Sequence, residues 1–433
     1  MKVKVSAIKQ YLLIYLMLMI PGSCLFAFNL PVSVKHYLFT MLFLVLVIYK
    51  KRYRRSVYAI LIVGLLAIFT VFTRLLNGGA GIASLLQFAV CLLSAHIAIS
   101  YNKDSFLDRY IRLIYYMSII SLAFWITFLI IPQLIDLWPG KSYLTQTVGT
   151  MGWERYYHGK GLFLYSYLEM HPTRNCGVYT EPGVHQIVLN SALYILLFWK
   201  DKLQFRSEKI YRRSIFVILA TIVSCQSTTG YISLLIIVLL FYINRQTQFS
   251  TKKIKEYIGM LFVLAVIILL IDYAMGGNQS IIYLQVIQKL FGGTTHGFDV
   301  SAGTGQYRVG TILVSLSTVI NHPLGVGHDV FDAYKNSFGS GLVAASFVSF
   351  AAVYGIIAWL TIIVAIFYPV FKTQRRLIAI AFLLIFINTT LAQTELFYPT
   401  LMIVPIYSMT KKNIMLSRGN LNDVSNKRKN QKK

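Results

Sequence analysis

The sequence predicts an all-α integral membrane protein with about 12 transmembrane helices and two long outer loops, one carrying an amphipathic interfacial helix. Three observations predict it. Of 433 residues, 56% are hydrophobic and only 13% are charged, against about 45–50% and about 25% in soluble domains. Mean hydropathy is +0.63, and the apolar residues fall in runs long enough to cross about 30 Å of hydrocarbon. The Lys and Arg residues crowd between alternate runs. A soluble enzyme, a secreted disulfide scaffold and a disordered chain are excluded. Cys24, Cys91, Cys176 and Cys225 are scattered without CxxC or metal-ligand spacing, so neither a disulfide framework nor a metal site is expected.

The first run, Tyr11–Phe28, ends in Pro21-Gly22-Ser23-Cys24. That tail loosely resembles a lipoprotein cleavage site, but Pro21 sits badly for one, and the run reads as a first transmembrane helix. Tyr37–Tyr49, Val57–Phe72, Ile82–Ser100, Leu113–Ile131 and Gly183–Trp199 follow as single spans. Ser214–Ile243 is too long for one crossing. Six Lys/Arg in Lys200–Arg213 precede it and four in Asn244–Glu256 follow it, so both flanks belong on the cytoplasmic side. The run therefore enters and returns as two short helices meeting at Ser227–Gly230. Tyr257–Ala274, Ala345–Tyr368, Leu377–Leu391 and Phe397–Met409 complete the set.

This order puts both termini in the cytoplasm. The polytopic membrane domain covers residues 1–410, and a basic cytoplasmic tail covers 411–433. Most of the 41 Lys and Arg fall on the cytoplasmic side. The net charge of +26 is thus a topology signal with anionic membrane lipids as its partner, and nucleic acid is not expected. The outer loops, about residues 132–182 and 276–344, are rich in Tyr, Gly, Trp and His, a composition that favours order over disorder.

Both loops carry candidate chemistry. In the second, Val309, Ile312, Leu313, Leu316 and Ile320 repeat with helical spacing up to the turn Asn321-His322-Pro323-Leu324-Gly325-Val326-Gly327. This is an amphipathic helix suited to the outer membrane surface. Arg308 begins it at headgroup depth, where its fork suits phosphate oxygens and equally suits snorkelling to lipid. The first loop ends Arg174-Asn175-Cys176-Gly177-Val178-Tyr179-Thr180-Glu181-Pro182-Gly183-Val184-His185-Gln186. Pro182 fits the first position of a helix, which makes Glu181 its cap. Glu181 and His185, four apart, share one face as a candidate acid/base pair. Thr228 and Thr229 at the hairpin tip, and Asn388, Gln393 and Glu395 further on, add polar groups at comparable depth. All lie in the outer half of the spans, as expected for a site that opens outward; a transport path needs polar groups at both depths. No P-loop, GxSxG or HExxH is present.

The order of spans, the loop ending in Glu-Pro-Gly, the Ser-Thr-Thr-Gly hairpin and the Arg-bearing helix before Asn-His-Pro-Leu-Gly-Val-Gly resemble the bacterial O-antigen or capsule repeat-unit polymerases (the Wzy type) and the related O-antigen ligases. The topological likeness covers nearly the whole chain. The motif likeness is confined to about Arg174–Asn190, Ser224–Gly230 and Gly305–Phe331.

The resemblance implies an integral-membrane glycosyltransferase in the bacterial inner membrane, with its active site facing the periplasm and no cofactor or metal. It implies transfer of a glycan from undecaprenyl diphosphate to an undecaprenyl-diphosphate-linked oligosaccharide repeat unit, with a chain-length regulator as a family partner. Arg308 and, less closely, Arg174 match the family's diphosphate-holding arginines, and Glu181 matches its Glu-Pro position. His322 matches the ligases' outer-loop histidine by position, which leaves the ligase reading open. A flippase is the alternative of a different class. The acceptor proton goes to Glu181 or His185, and Tyr179, Tyr307, Gln186, Thr228 and Thr229 are candidate substrate contacts. Trp153, Tyr156 and Tyr157 are further candidates for stacking on sugar, or members of the interfacial aromatic belt.

Overall fold

A computed structural model describes residues 5–22, 57–78, 81–138, 142–147, 154–161, 163–169, 171–245, 303–338 and 345–410. The expected spans Tyr37–Tyr49 and Tyr257–Ala274, Cys24, Trp153 and the tail 411–433 lie outside the described residues. The chain is a helical membrane protein. Its helices are α1 (Val5–Met19), α2 (Val57–Asn77), α3 (Ile82–Tyr101), α4 (Lys103–Ile130), α5 (Pro182–Phe198), α6 (Glu208–Ser224) and α7 (Thr228–Arg245). There follow α8 (Gly303–Asn321), α9 (His328–Phe338), α10 (Ser346–Tyr354), α11 (Ile356–Thr373), α12 (Arg376–Ala392) and α13 (Pro399–Met409). Among the described residues four helices, α2, α3, α4 and α11, are long and apolar enough to cross a membrane.

Local signals set the boundaries. The Asn102 side chain accepts from the Ser105 amide at 3.3 Å and starts α4. Ser207 does the same for α6 through Ile210, each supplying an acceptor to an otherwise unpaired first-turn amide. Large apolar residues on α2 (Leu61, Ile68 and Leu75) are exposed at seven-residue spacing, the pattern of a helix whose outer face meets lipid rather than water. Helix α5 is the opposite case. It is buried all round, its His185, Gln186 and Asn190 included, as befits the central helix of a bundle.

Three expectations need correction. First, the chain is overwhelmingly helical as expected, but the first long loop adds an unexpected antiparallel meander of β1 (Ser142–Thr147), β2 (Glu154–Gly161) and β3 (Ser166–Leu168). An aromatic cluster anchors it to the end of α4, with Trp138 4.4 Å and Tyr165 5.7 Å from Phe124 between ring centroids. Second, the hairpin turn between α6 and α7 lies at Cys225–Ser227, where Gln226 takes φ +48°. Thr228, Thr229 and Gly230 already belong to α7. Gly230 serves close packing, since a Cβ there would stand 3.0 Å from Gln186 on α5. Third, Ala345–Tyr368 is two helices broken at Gly355, with φ +90°.

That break receives the Pro323–Gly327 turn. The amides of Val326 and Gly327 donate to Ala352 and Val353, and the Ile356 amide donates to Pro323, all at 2.9–3.0 Å. Helices α11 and α12 form an antiparallel hairpin, so Ile356 and Ala392 lie at the same end of the bundle. Helix α10 runs from Ser346, whose amide donates to Gln393 at 3.1 Å, to Gly355 at the start of α11. It therefore lies across that one end.

Helix α8 runs beside α10 in the same direction, joined at its middle by the hydroxyls of Ser315 and Ser349 at 3.2 Å. The face that α8 buries is Thr311, Val314, Ser315 and Thr318, while Leu313, Leu316 and Ile320 are exposed. The small hydroxyl face thus turns into the protein, and most of the apolar stripe points away. Ser315 and Thr318 donate to carbonyls four residues back at 2.7 and 2.8 Å, so their burial leaves no hydroxyl unpaired.

The Pro323–Gly327 contact requires glycine. Gly325 has φ +84°, and a Cβ there would stand 2.5 Å from the Gly355 amide nitrogen. Gly325→Ala is expected to lower the thermal unfolding midpoint of the detergent-solubilised protein, with a backbone cost of at least about 1–2 kcal/mol. Gly64→Ala, at a helical position with open space around it, is the control and leaves the midpoint unchanged or slightly raised.

Candidate functional site

The segment Arg174–Glu181 folds back over the tip of the α6–α7 hairpin because its backbone groups find partners there. The Asn175 amide donates to the Ser224 carbonyl at 3.0 Å, and the Asn175 side-chain amide donates to Ser224 Oγ at 2.9 Å. Asn175 Oδ1 accepts from Gly177 at 2.9 Å. The Arg174 Nε donates to the Cys225 carbonyl at 3.1 Å, which fixes the base of its guanidinium. The Thr180 amide donates to the Gly22 carbonyl at the end of α1 at 3.0 Å. These bonds deliver Glu181 to the N-terminus of the central helix.

Glu181 occupies the N-cap position of α5, but its side chain caps no amide. It turns over Gly183 instead. A Cβ on Gly183 would lie 3.0 Å from Glu181 Oε1 and 2.6 Å from Gln393 Nε2, so glycine leaves room for the carboxylate and amide to meet. Burial pushes the Glu181 carboxyl above its ordinary range, while Arg174, Arg308 and a hydrogen bond from Gln393 pull it back. Burial likewise works against the charge on Arg308, Arg174 adds to that, and Glu181 opposes it. Glu181 keeps an accessible surface although the surrounding protein desolvates it. Arg174, Arg308 and Glu181 stand close enough to act on one another's charge, so two guanidiniums and one carboxyl cluster at the end of the bundle, and an excess of positive charge suits an anion with more than one negative oxygen.

Arg174, Arg308 and Glu181 are thus brought together from both loops. Other expected site residues are not. The His185 ring is 4% exposed and lies under Gly177, where a Cβ would be 2.6 Å from the ring. Its Nδ1 faces the Asn175 carbonyl at 3.3 Å and Cys225 Sγ at 3.5 Å. It packs the loop and does not pair with Glu181, since helical spacing put both on one face but the cap residue's side chain points elsewhere. Tyr179 is fully buried, 5.7 Å from the His185 ring, so it has no face free for a sugar.

Gln186 is also fully buried and accepts from Asn190 Nδ2 at 3.0 Å, joining α5 to α7 through the Asn190 bond to the Gly230 carbonyl. The Thr229 carbonyl accepts from Asn388 at 2.9 Å, and Thr228 is half-buried in the first turn of α7. The His322 ring is exposed beside Tyr334, 6.2 Å between centroids. It lies one residue past α8, about 20 Å along the axis from Arg308, so it stands apart from the Arg174–Arg308–Glu181 cluster. Tyr307 lies on α8 and Tyr156 and Tyr157 on β2, with side chains outside the described residues.

Two residues of this region were noted in the sequence only as polar groups. Gln393 holds the Glu181 carboxylate, and Glu395 in the same loop accepts from Gln87 on α3 at 2.5 Å. Burial raises Glu395 to about 7 against that hydrogen bond. Both fall in the six-residue link between α12 and α13, whose Gln-Thr-Glu run after an apolar helix was the available signal. Among the described residues no group of His, Cys, Asp and Glu has the proximity to hold a metal ion. Comparison with family models, curated proteins and solved structures finds no match for the chain.

A raised carboxyl pKa makes the ionised form a cost to folding. That cost is absent below the ordinary value of 4.5 and grows as pH rises through the raised value. Glu181→Gln removes it. The variant is expected to unfold at an equal or higher temperature than the parent at neutral pH, with the difference vanishing below pH 4.5. Thermal unfolding of the two proteins in detergent across that range checks the sign.

Proposed function

We propose that the chain polymerises undecaprenyl-diphosphate-linked oligosaccharide repeat units into O-antigen or capsular polysaccharide on the outer face of the bacterial inner membrane. The observation that carries this reading is the convergence of Arg174, Arg308 and Glu181 at a single end of a helical membrane bundle. Segregation of charge supports the orientation. Lys200, Arg206, Arg212 and Arg375 lie at the opposite end of the helices from that cluster, and Lys/Arg-rich segments stay cytoplasmic. On this reading the chain crosses the membrane twelve times with both termini inside, and the cluster faces the periplasm at headgroup depth.

The reaction breaks the bond between the anomeric carbon of the growing glycan and its diphosphate, and forms a bond from that carbon to a hydroxyl of the incoming unit. The diphosphate gains charge as the bond breaks. Arg308 and Arg174, fixed beforehand, stabilise that charge more in the transition state than in the bound substrate. The hydroxyl's proton passes to the Glu181 carboxylate, whose raised pKa makes it a better acceptor than an ordinary carboxylate. Glu181 takes this role rather than His185, whose ring is walled off beneath Gly177. The ligase reading leaned on His322, and its distance from Arg308 disfavours it.

Arg308→Ala is expected to remove about 3–4 kcal/mol of transition-state stabilisation, a fall of about 10²–10³ in rate. Cells carrying it should display short, single-repeat glycans while the lipid-linked unit still reaches the outer leaflet. Gel analysis of the surface glycan, with assay of the leaflet that holds the lipid-linked unit, checks both. Accumulation of that unit in the inner leaflet would contradict the transferase reading and favour a flippase.

A further inference from the structure

A second group of polar side chains lies at the same end of the bundle and takes no part in the charge cluster around Glu181. It surrounds a cavity of about 10 Å³ lined by Thr73, Arg74, Gly78, Gly327, His328 and Tyr354, among others. That volume admits one oxygen-sized atom. Thr73 is only 4% exposed, and its Oγ1 has no hydrogen-bond partner. A buried hydroxyl left without a partner is unfavourable and calls for one in the cavity.

Arg74, in the last turn of α2, is exposed at the rim and makes no ion pair among the described residues. Gly327 precedes α9, its carbonyl accepting from Phe331 at 3.2 Å, and it offers no side chain to cap the first-turn amides of that eleven-residue helix. His328 Nε2 is taken by the Tyr354 hydroxyl at 3.0 Å. Of the nearby carboxylates, Asp332 is held by Lys335 at 2.6 Å and Asp329 is exposed on the first turn of α9. A water molecule would satisfy Thr73 alone. An oxyanion in the cavity satisfies Thr73 and also gives the exposed Arg74 at its rim an ion partner, and the open helix terminus favours it.

We propose that this cavity is a second oxyanion site, in which one phosphoryl oxygen accepts from Thr73 Oγ1 while Arg74 pairs with the outer oxygens. The assignment of its ligand rests on the polymerase reading: the site takes the diphosphate of the acceptor lipid. A polymerase of this kind joins two lipid-linked glycans, and the acceptor reacts at its far end. Its diphosphate must therefore sit apart from the bond being made, by the length of a repeat unit. Helix α10 supplies that separation. Its N-terminus meets Gln393 beside Glu181, and its last residue, Tyr354, lines the second cavity. The two ends are about 12 Å apart, comparable to a short oligosaccharide.

The test uses the full chain in detergent with Arg174 and Arg308 both changed to Gln, which silences the cluster around Glu181. Inorganic pyrophosphate, undecaprenyl diphosphate and phosphatidylglycerol are titrated while the thermal midpoint and binding heat are followed. The expected result is that pyrophosphate and undecaprenyl diphosphate still bind, and that adding Arg74→Gln weakens both at least tenfold. Thr73→Val should raise the ligand-free midpoint, because it removes the unpaired hydroxyl, and yet weaken binding. A misfolded variant cannot produce that pair of results. Binding unchanged by either substitution, or no binding at all, overturns the site. Phosphatidylglycerol competing as well as undecaprenyl diphosphate overturns the acceptor assignment and leaves a headgroup site. Full polymerisation by the Arg174→Gln/Arg308→Gln protein in cells sinks the polymerase mechanism above, whatever the titrations show.

Discussion

Glu181 is an ionisable group at the end of the most buried helix in the bundle, and its surroundings make sense only if charge is kept there. A carboxyl desolvated by protein is unfavourable unless cations and donors compensate it. Arg174 is brought from the first long loop, Arg308 from the second, and Gln393 from the link between α12 and α13. The arginines are themselves desolvated and oppose each other. Nothing in packing the bundle requires such a cluster, and an apolar plug would do so at less cost. Much of the surrounding architecture serves it: the Asn175 bonds that clamp the loop to the hairpin, the absence of a side chain at Gly183, and the α8–α10 pair lying across the bundle's end.

The bilayer explains the rest of the design. Its helices turn apolar stripes outward, as α2 does with Leu61, Ile68 and Leu75, and use small or hydroxyl residues for contact with one another. Thr311, Ser315 and Thr318 on α8 are an example, with Ser315 and Thr318 already bonded to their own helix before they meet a neighbour. Close approach at Gly230 and Gly325 then supplies dispersion contact where the difference between lipid and protein interior offers little driving force. Fixed backbone at the site end follows, and it holds the Arg174 guanidinium in place through the Cys225 carbonyl.

Much of this was legible in the sequence. Apolar run lengths and flanking Lys/Arg gave the helices and the α6–α7 hairpin, because hydrocarbon thickness and loop charge act on the sequence directly. Arg174, Glu181 and Arg308 stood out as charged residues beside apolar runs. What stayed hidden depends on tertiary choices. The 3.6-residue period located the apolar stripe of α8 but could not say which face turns inward, since a membrane rewards the opposite orientation to water. The spacing of Glu181 and His185 suggested a pair, yet the cap residue's side chain leaves the helix face and His185 is covered by Gly177. His322 was chosen by its place in a motif whose glycines in fact serve to dock on the Gly355 break. The small sheet in residues 142–168 rests on an aromatic anchor to α4 that no local pattern announces.

The proposed function rests on a spatial arrangement: residues 181 and 308, from separate loops, stand together, and on that proposal they do so on the outer side of the membrane. Replacing both with cysteine in a Cys24→Ser background and treating intact cells with a short, membrane-impermeant bifunctional thiol reagent measures it directly, because the other native cysteines, Cys91, Cys176 and Cys225, are buried. The account predicts an intramolecular cross-link between the two positions in intact cells, blocked by prior treatment with an impermeant monofunctional reagent. A cross-link that forms only after the membrane is permeabilised, or none under either condition, would contradict it.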